Sequence, residues 1–258
     1  MRYVLSLLIV LALCAHASAE LRTQVIEYTQ GDAVLEGYLA YDDAVKGKRP
    51  GVVVVHEWWG INPYIKSRVE QLAKMGYIAF AADIYGKGVR TTHPEEAGKF
   101  SGKYRQDRPL LRARAQAGLD ILKKHDMTDP KKVAAIGYCF GGTTVLEMAR
   151  GGLDVLGVAS FHGGLDAPAP GEPKPIKAKI LVLHGADDAF ITPEQIRAFQ
   201  DEMRKSGADW QMILFGGAVH GFTNPDADKV GIKGIAYNRS ADVRSWEYLK
   251  LFFTEIFR

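Results

Sequence analysis

The stretch PGVVVVHE, Pro50 to Glu57, most narrows what this chain can fold into. Its run of valines leaves no polar face, so it fits a strand covered on both sides, as in a parallel sheet, and not the alternating strand of a half-solvated layer. Helix signals follow at once. Asn62 can cap, Pro63 suits the first helical position, Ile65, Val69 and Leu72 recur at helical spacing, and Gly76 ends the pattern. YIAFAAD, Tyr77 to Asp83, then reads as the next strand.

The alternation continues to the end of the chain. A polar, loop-like stretch from Gly86 to Gln106, with the character of a lid, precedes a helix from about Pro109 to Lys124 and the strand Lys132 to Tyr138. Phe140 to Arg150 reads as a helix, VLGVASFHG and AKILVLHG (Ala178 to Gly185) as strands, and WQMILFGG as the last strand. Thr192-Pro193-Glu194-Gln195 has the residues of a capping box and opens a helix whose Ile196, Phe199 and Met203 share a face. The closing helix carries Val243, Trp246, Leu249, Phe253 and Ile256 on its apolar side. Upstream, VIEYT and AVLEGYLAY alternate about the turn Gly31-Asp32 as an antiparallel pair. The whole predicts an α/β chain with a mostly parallel central sheet and helices on both faces. No repeat or linker divides it, and the proline-rich Asp166 to Pro175 reads as a surface excursion within a single domain from Glu20 to Arg258.

The segment Met1 to Ala19 has Arg2, an apolar run, and Ala17-Ser18-Ala19 in a small-x-small cleavage pattern, which is the layout of a signal peptide. Its apolar run falls short of the ~20 residues a bilayer span requires. Leu13 before Cys14 argues against a lipoprotein signal. The expectation is an exported protein, periplasmic or secreted, without stable membrane insertion after processing. A formal net charge of +3 over 258 residues gives no electrostatic footprint for nucleic acid. Asn238-Arg239-Ser240 matches a glycosylation acceptor pattern.

The chain has two cysteines, and removal of the signal leaves only Cys139. A lone thiol in an oxidising compartment is either a small buried hydrophobe or a reactive group. Its context favours the second. Gly137-Tyr138-Cys139-Phe140-Gly141 joins a buried strand to a helix and has the G-x-C-x-G form of a nucleophile elbow, in which flanking glycines permit a very tight turn. The following helix aims its N-terminus at the sulfur, favouring negative charge there. A cysteine nucleophile needs a base and a group that orients the base. Asp187 and Asp188 follow one later strand, and His220 follows the next, in the order nucleophile, acid, histidine. His184 is the rival base, but its place at the end of a buried strand suits a structural hydrogen-bonder. His56 beside Glu57 lacks a third ligand at useful spacing, so neither a metal nor another cofactor is expected.

These segments resemble the dienelactone hydrolase family of the α/β-hydrolase fold, over the chain from about Gln24 to its end. The residues that carry the resemblance are His56-Glu57-Trp58-Trp59-Gly60, Asp83-Ile84-Tyr85, GYCFGG, GADDAFITP and HGF. The resemblance implies Cys139 as nucleophile, His220 as base and Asp188, not Asp187, as its orienter. It also implies that Glu57 contacts the resting thiol, and that the backbone N–H groups of Trp58 and Phe140 form the oxyanion hole. Of the adjacent Trp58 and Trp59, one is expected to line the pocket. Trp59, Tyr85 and Lys87 are candidate substrate contacts. Family members that cleave dienelactone hold its carboxylate with two arginines, and the matching positions here are Lys87 and Asn224. Lysine lacks the bidentate fork of arginine, so a different or less anionic small ester or lactone is implied. The reaction implied is acyl transfer through a thioester. The other class considered is non-enzymatic, a ligand binder or thiol sensor. A binder has no use for the full set of residues, and a sensor often pairs with a resolving cysteine that this chain lacks.

Overall fold

The valine-rich strand lies near the middle of an eight-stranded sheet in the computed structural model, which describes residues 20–166 and 174–258. The strands are β1 (Leu21–Gln30), β2 (Ala33–Asp42), β3 (Arg49–Val55), β4 (Ile78–Ala82), β5 (Thr128–Tyr138), β6 (Gly157–Phe161), β7 (Lys179–Gly185) and β8 (Trp210–Phe215), in the spatial order β1-β2-β4-β3-β5-β6-β7-β8. β1 and β2 form an antiparallel hairpin and β2 joins β4 antiparallel, while every pair from β4 to β8 is parallel. Six helices cover the sheet among the described residues: α1 (Pro63–Lys74), α2 (Pro94–Gln106), α3 (Arg108–Lys124), α4 (Phe140–Arg150), α5 (Pro193–Ser206) and α6 (Arg239–Ile256). None of them is long and apolar enough to cross a membrane. The arrangement is the α/β-hydrolase fold.

The core is split by the sheet because successive side chains of a strand point to opposite faces. Val53 and Val55 join Leu111, Leu119 and Phe199 on the face covered by α3, α4 and α5, whereas Val52 and Val54 join Ile65, Leu72 and Phe253 beneath α1 and α6. All four valines are fully buried, which explains the absence of polar alternation.

Several helix ends form as their residues dictate. The Asn62 side chain accepts from Ile65 N–H, and the reciprocal capping box of Thr192 and Gln195 is complete. Asn238 caps α6 through Oδ1 to Ala241 N–H while its Nδ2 donates to the Gly217 carbonyl, so both ends of the sequon amide are engaged.

The structure departs from the sequence expectation in three places. The stretch expected to be a loop, Gly86 to Gln106, contains α2. Pro94 opens that helix, Glu95 and Glu96 occupy its first turn, and Lys103 and Arg105 its last, matching the helix dipole. Its Ala97, Ser101 and Tyr104 form a narrow buried stripe that low overall hydropathy concealed. β5 begins at Thr128, earlier than expected, because it follows β3 across a register shift at Pro50/Gly51. On α6, Val243 is 52% exposed, and Phe252 takes the buried place instead. The expected signal segment and most of the proline-rich excursion lie outside the described residues.

A buried ion cluster ties α3, α4 and α5 together. The fully buried Glu147 of α4 accepts two hydrogen bonds from Arg112 (3.0 and 2.7 Å) and one from Arg150 (3.1 Å), and Arg150 also pairs with Glu202. Removing one member leaves the opposite charges buried and unmatched. Glu147→Gln should therefore destabilise the fold by about 3–5 kcal/mol, read as a lower urea midpoint with an unchanged slope.

Candidate active site

The elbow after β5 is shaped by contacts that exclude any side chain. A Cβ at Gly137 would fall 2.0 Å from the Gly141 carbonyl oxygen, and one at Gly141 would fall 2.2 Å from the Val55 carbonyl oxygen. With both glycines present, α4 packs directly on β3 and β5, and Cys139 is forced to φ 54°, ψ −113°. Only Cys139 and His162 among the described non-glycine residues have positive φ. Phe140 is the first residue of α4, so its N–H has no partner within the helix. No backbone hydrogen bond engages the N–H of Trp58. Cys139 is 8% exposed and opens on a cavity of about 280 Å³.

His220 lies on the same cavity, in the loop after β8. Its Nδ1 donates to Asp188 Oδ2 at 2.8 Å, and Asp188, in the loop after β7, also accepts from Phe190 N–H through Oδ1 at 3.0 Å. Burial opposes a charge on His220, but its interaction with Cys139 and the hydrogen bond to Asp188 outweigh it and lift the imidazole to about 10. Phe190 stands edge-on to His220 at 5.4 Å between ring centres. Asp187 makes only a backbone bond to Ala218 in this loop.

Glu57 borders the cavity with Cys139. Burial raises its carboxyl to about 7, although the Asn224 hydrogen bond and the charges of His220 and Arg68 pull the other way. Its Oε2 accepts from Asn224 Nδ2 at 2.8 Å, and no hydrogen bond joins it to the thiol. His56 is wholly buried with both ring nitrogens occupied: Nδ1–H donates to the Glu57 carbonyl at 2.6 Å and Nε2 accepts from Ile84 N–H at 3.3 Å. Burial accordingly depresses its basicity. Its role is to hold the ends of β3 and β4, and the same site cannot also offer those lone pairs to a metal.

The profile of the dienelactone hydrolase family matches residues 35–257. The chain belongs to the dienelactone hydrolase family. That membership makes it a hydrolase of the carboxylic-ester and lactone class. It is 29% identical over 234 residues to a putative carboxymethylenebutenolidase of Aquifex aeolicus, spanning 89% of this chain and 97% of the relative. It is 28% identical over 236 residues to the protein usf of Aquifex pyrophilus, spanning 90% and 98%. Among solved structures, a dienelactone hydrolase-like promiscuous phosphotriesterase from metagenomic libraries superposes with a TM-score of 0.87 at 39% identity, covering 92% of this chain and 99% of the other.

Within this family frame several expected contacts move. Lys87 points outward to an ion pair with Glu27 and does not border the cavity. Tyr85 is buried beside it, and its hydroxyl donates to the Trp58 carbonyl at 3.1 Å, so it positions the strand-end loop and touches no ligand space. Both Trp58 and Trp59 line the cavity, where one was expected, because the backbone turns at this point and the rings pack 4.7 Å apart at 59°. His184, expected to be a structural hydrogen-bonder, is buried with no partner for its Nδ1. Arg105, Phe190, Ile191 and Gln195 complete the cavity without having been anticipated. The helical spacing of α2 would have exposed Arg105 had that stretch been read as a helix.

The raised carboxyl of Glu57 has a stability consequence with a definite sign. Its folded value of about 7 lies above an ordinary carboxylate, so the fold prefers the neutral acid. The penalty for ionising it is absent below about pH 4, grows as pH rises, and is complete above the folded value, on the order of 3 kcal/mol. Glu57→Gln keeps an acceptor for Asn224 and should raise the urea midpoint at pH 8.5 but leave it nearly unchanged at pH 4.5.

Proposed function

We propose that this protein cleaves a small carboxylic ester or lactone by acyl transfer through Cys139, with His220 as base and Asp188 as its orienter. The observation that carries the reading is the 2.8 Å hydrogen bond from His220 to Asp188 with Cys139 on the same cavity. His220 takes the thiol proton, and Asp188 stabilises the resulting imidazolium. Sulfur attacks the carbonyl carbon, and the tetrahedral oxyanion is received by the N–H groups of Trp58 and Phe140. Collapse forms the thioester as His220 returns the proton to the departing alkoxide. Water deprotonated by His220 then attacks the thioester and releases the acid, restoring the thiol.

Glu57 belongs to this reading as a buried carboxyl on the same cavity, held by Asn224. A cavity of about 280 Å³ suits a small acyl group and a small leaving group, since drug-sized ligand sites begin near ~300 Å³. Because Lys87 faces Glu27 and Asn224 faces Glu57, neither position supplies a cation for a substrate carboxylate. Arg105, which does border the cavity, is the cation left to meet an anionic group, and low activity on dienelactone is proposed because it stands at neither expected position. Export by residues 1–19 is part of the proposal. The 39% identical dienelactone hydrolase-like promiscuous phosphotriesterase favours a second reading, in which a phosphotriester is also attacked by Cys139.

The test is hydrolysis of short-chain aryl esters, simple lactones, dienelactone and an aryl phosphotriester by the protein from Glu20 onward. Cys139→Ala should lower kcat/KM by about 10³-fold or more on every ester turned over, whereas an equally active variant would remove Cys139 as nucleophile. Lys87→Ala should leave kcat/KM within about twofold, as expected for a surface change away from the cavity. A tenfold rise in KM for an anionic ester would instead put Lys87 at the substrate.

A further inference from the structure

His162 directly follows β6 and belongs to no expected catalytic set, yet it is fully buried against the elbow. Its φ of 40° makes it the second strained non-glycine residue among those described, and it is hydrogen-bonded to the first. Cys139 N–H is shared between the Phe161 carbonyl at 3.0 Å and His162 Nδ1 at 3.1 Å. An imidazole nitrogen that accepts from an N–H carries no proton, so the neutral ring must bear its hydrogen on Nε2. Nε2 lies 2.7 Å from Thr223 Oγ1, which therefore accepts.

Thr223 is three residues beyond His220 on the same loop. That loop is fixed in turn: Arg68 donates to the Thr223 carbonyl at 2.7 Å, and Tyr64 shares a 2.6 Å hydrogen bond with Thr223 Oγ1. The His162 ring also stands edge-on to His220, 5.3 Å between centres. Burial and the neighbouring cationic groups hold His162 well below the ordinary histidine range, consistent with a permanently neutral strut.

We infer that His162 is a positioning residue for acyl transfer: one neutral ring fixes the nucleophile elbow through Nδ1 and the loop of the base through Nε2, and Thr223 supplies the acceptor required by the tautomer that Cys139 N–H sets. This rests on the assignment of Cys139 and His220 above. If Thr223 lost its oxygen, the buried Nε2–H would be left without an acceptor, and moving the proton to Nδ1 would oppose it to Cys139 N–H. Either outcome shifts the elbow relative to His220. The expected sign is a loss in the chemical step, because the groups being displaced react with one another and do not bind the distal parts of the substrate.

The experiment compares Thr223→Val, Thr223→Ser, Tyr64→Phe and His162→Asn with wild type, measuring kcat and KM on a short-chain aryl ester and the rate of Cys139 alkylation by iodoacetamide. Asparagine accepts the left-handed backbone and can offer an oxygen to Cys139 N–H, but it does not reach Thr223. Thr223→Val and His162→Asn should lower kcat by about ten- to hundredfold with KM nearly constant, and slow alkylation in parallel. Thr223→Ser should restore both, and Tyr64→Phe should change neither much. The inference is overturned if Thr223→Val keeps kcat and alkylation near wild type, even with a lower melting temperature, or if the effect falls on KM alone. It is overturned equally if Tyr64→Phe reproduces the loss while His162→Asn does not. Turnover that survives Cys139→Ala would defeat the acyl-transfer assignment, whereas the alkylation rates would still report on the strut.

Discussion

The close backbone approach of Gly141 to the carbonyl of Val55 sets the geometry on which the rest depends. It brings the N-terminus of α4 onto β3, so the strand that leads into Glu57 and the helix that begins at Phe140 meet at this point. The two candidate oxyanion donors come from those two ends. The strain at Cys139 follows from the same contact: with α4 this close, the chain can leave β5 only by a left-handed step. Such strain persists where its surroundings over-determine it, and here the surroundings include a second strained residue, His162, bonded to the first.

Polar groups behind the site are handled unequally. His56, Glu57 and Asn224 form a chain joined by hydrogen bonds, whereas in the Glu147 cluster Arg108 Nη1 approaches Glu147 only to 3.6 Å and has no hydrogen-bond partner. Three orphans remain close by in the chain: Tyr138 Oη, Ser160 Oγ and His184 Nδ1. Tyr138 and Ser160 sit beside the elbow and the strained His162. Five further orphans, Arg49 Nε, Arg108 Nη1, Arg114 Nε, His125 Nδ1 and Thr128 Oγ1, lie elsewhere among the described residues, so unmatched polarity is not confined to the site.

Much of this was legible from residue order alone, for reasons that can be named. Strand burial shows in the valines of β3, and the elbow shows in Gly137 and Gly141 because a steric requirement of that severity admits few sequences. Asking what stands at strand ends finds Asp187, Asp188 and His220 alike, and only the family resemblance separates Asp188 from Asp187. The same question asked of FHG would have reached His162, whose signal was absorbed into the strand that precedes it. Side-chain direction left no such trace. Nothing in DIYGKG reveals that Lys87 turns toward Glu27, and the pairing of Glu57 with Asn224 joins residues 167 positions apart. α2 was hidden because its buried stripe is narrow and partly polar.

The position of β5 in the sheet has a consequence for cooperativity. Four strands lie on one side of it and three on the other, so the elbow is as far from either edge as the topology allows. Fraying begins at sheet edges and chain ends, where backbone bonds open with little free energy. The outer strands β1 and β8 can therefore breathe while β3 and β5 keep the thiol and its oxyanion donors in register. Hydrogen exchange at Val54 or Ile136 would then proceed only through global opening, and the loss of a competent site would coincide with loss of the whole fold.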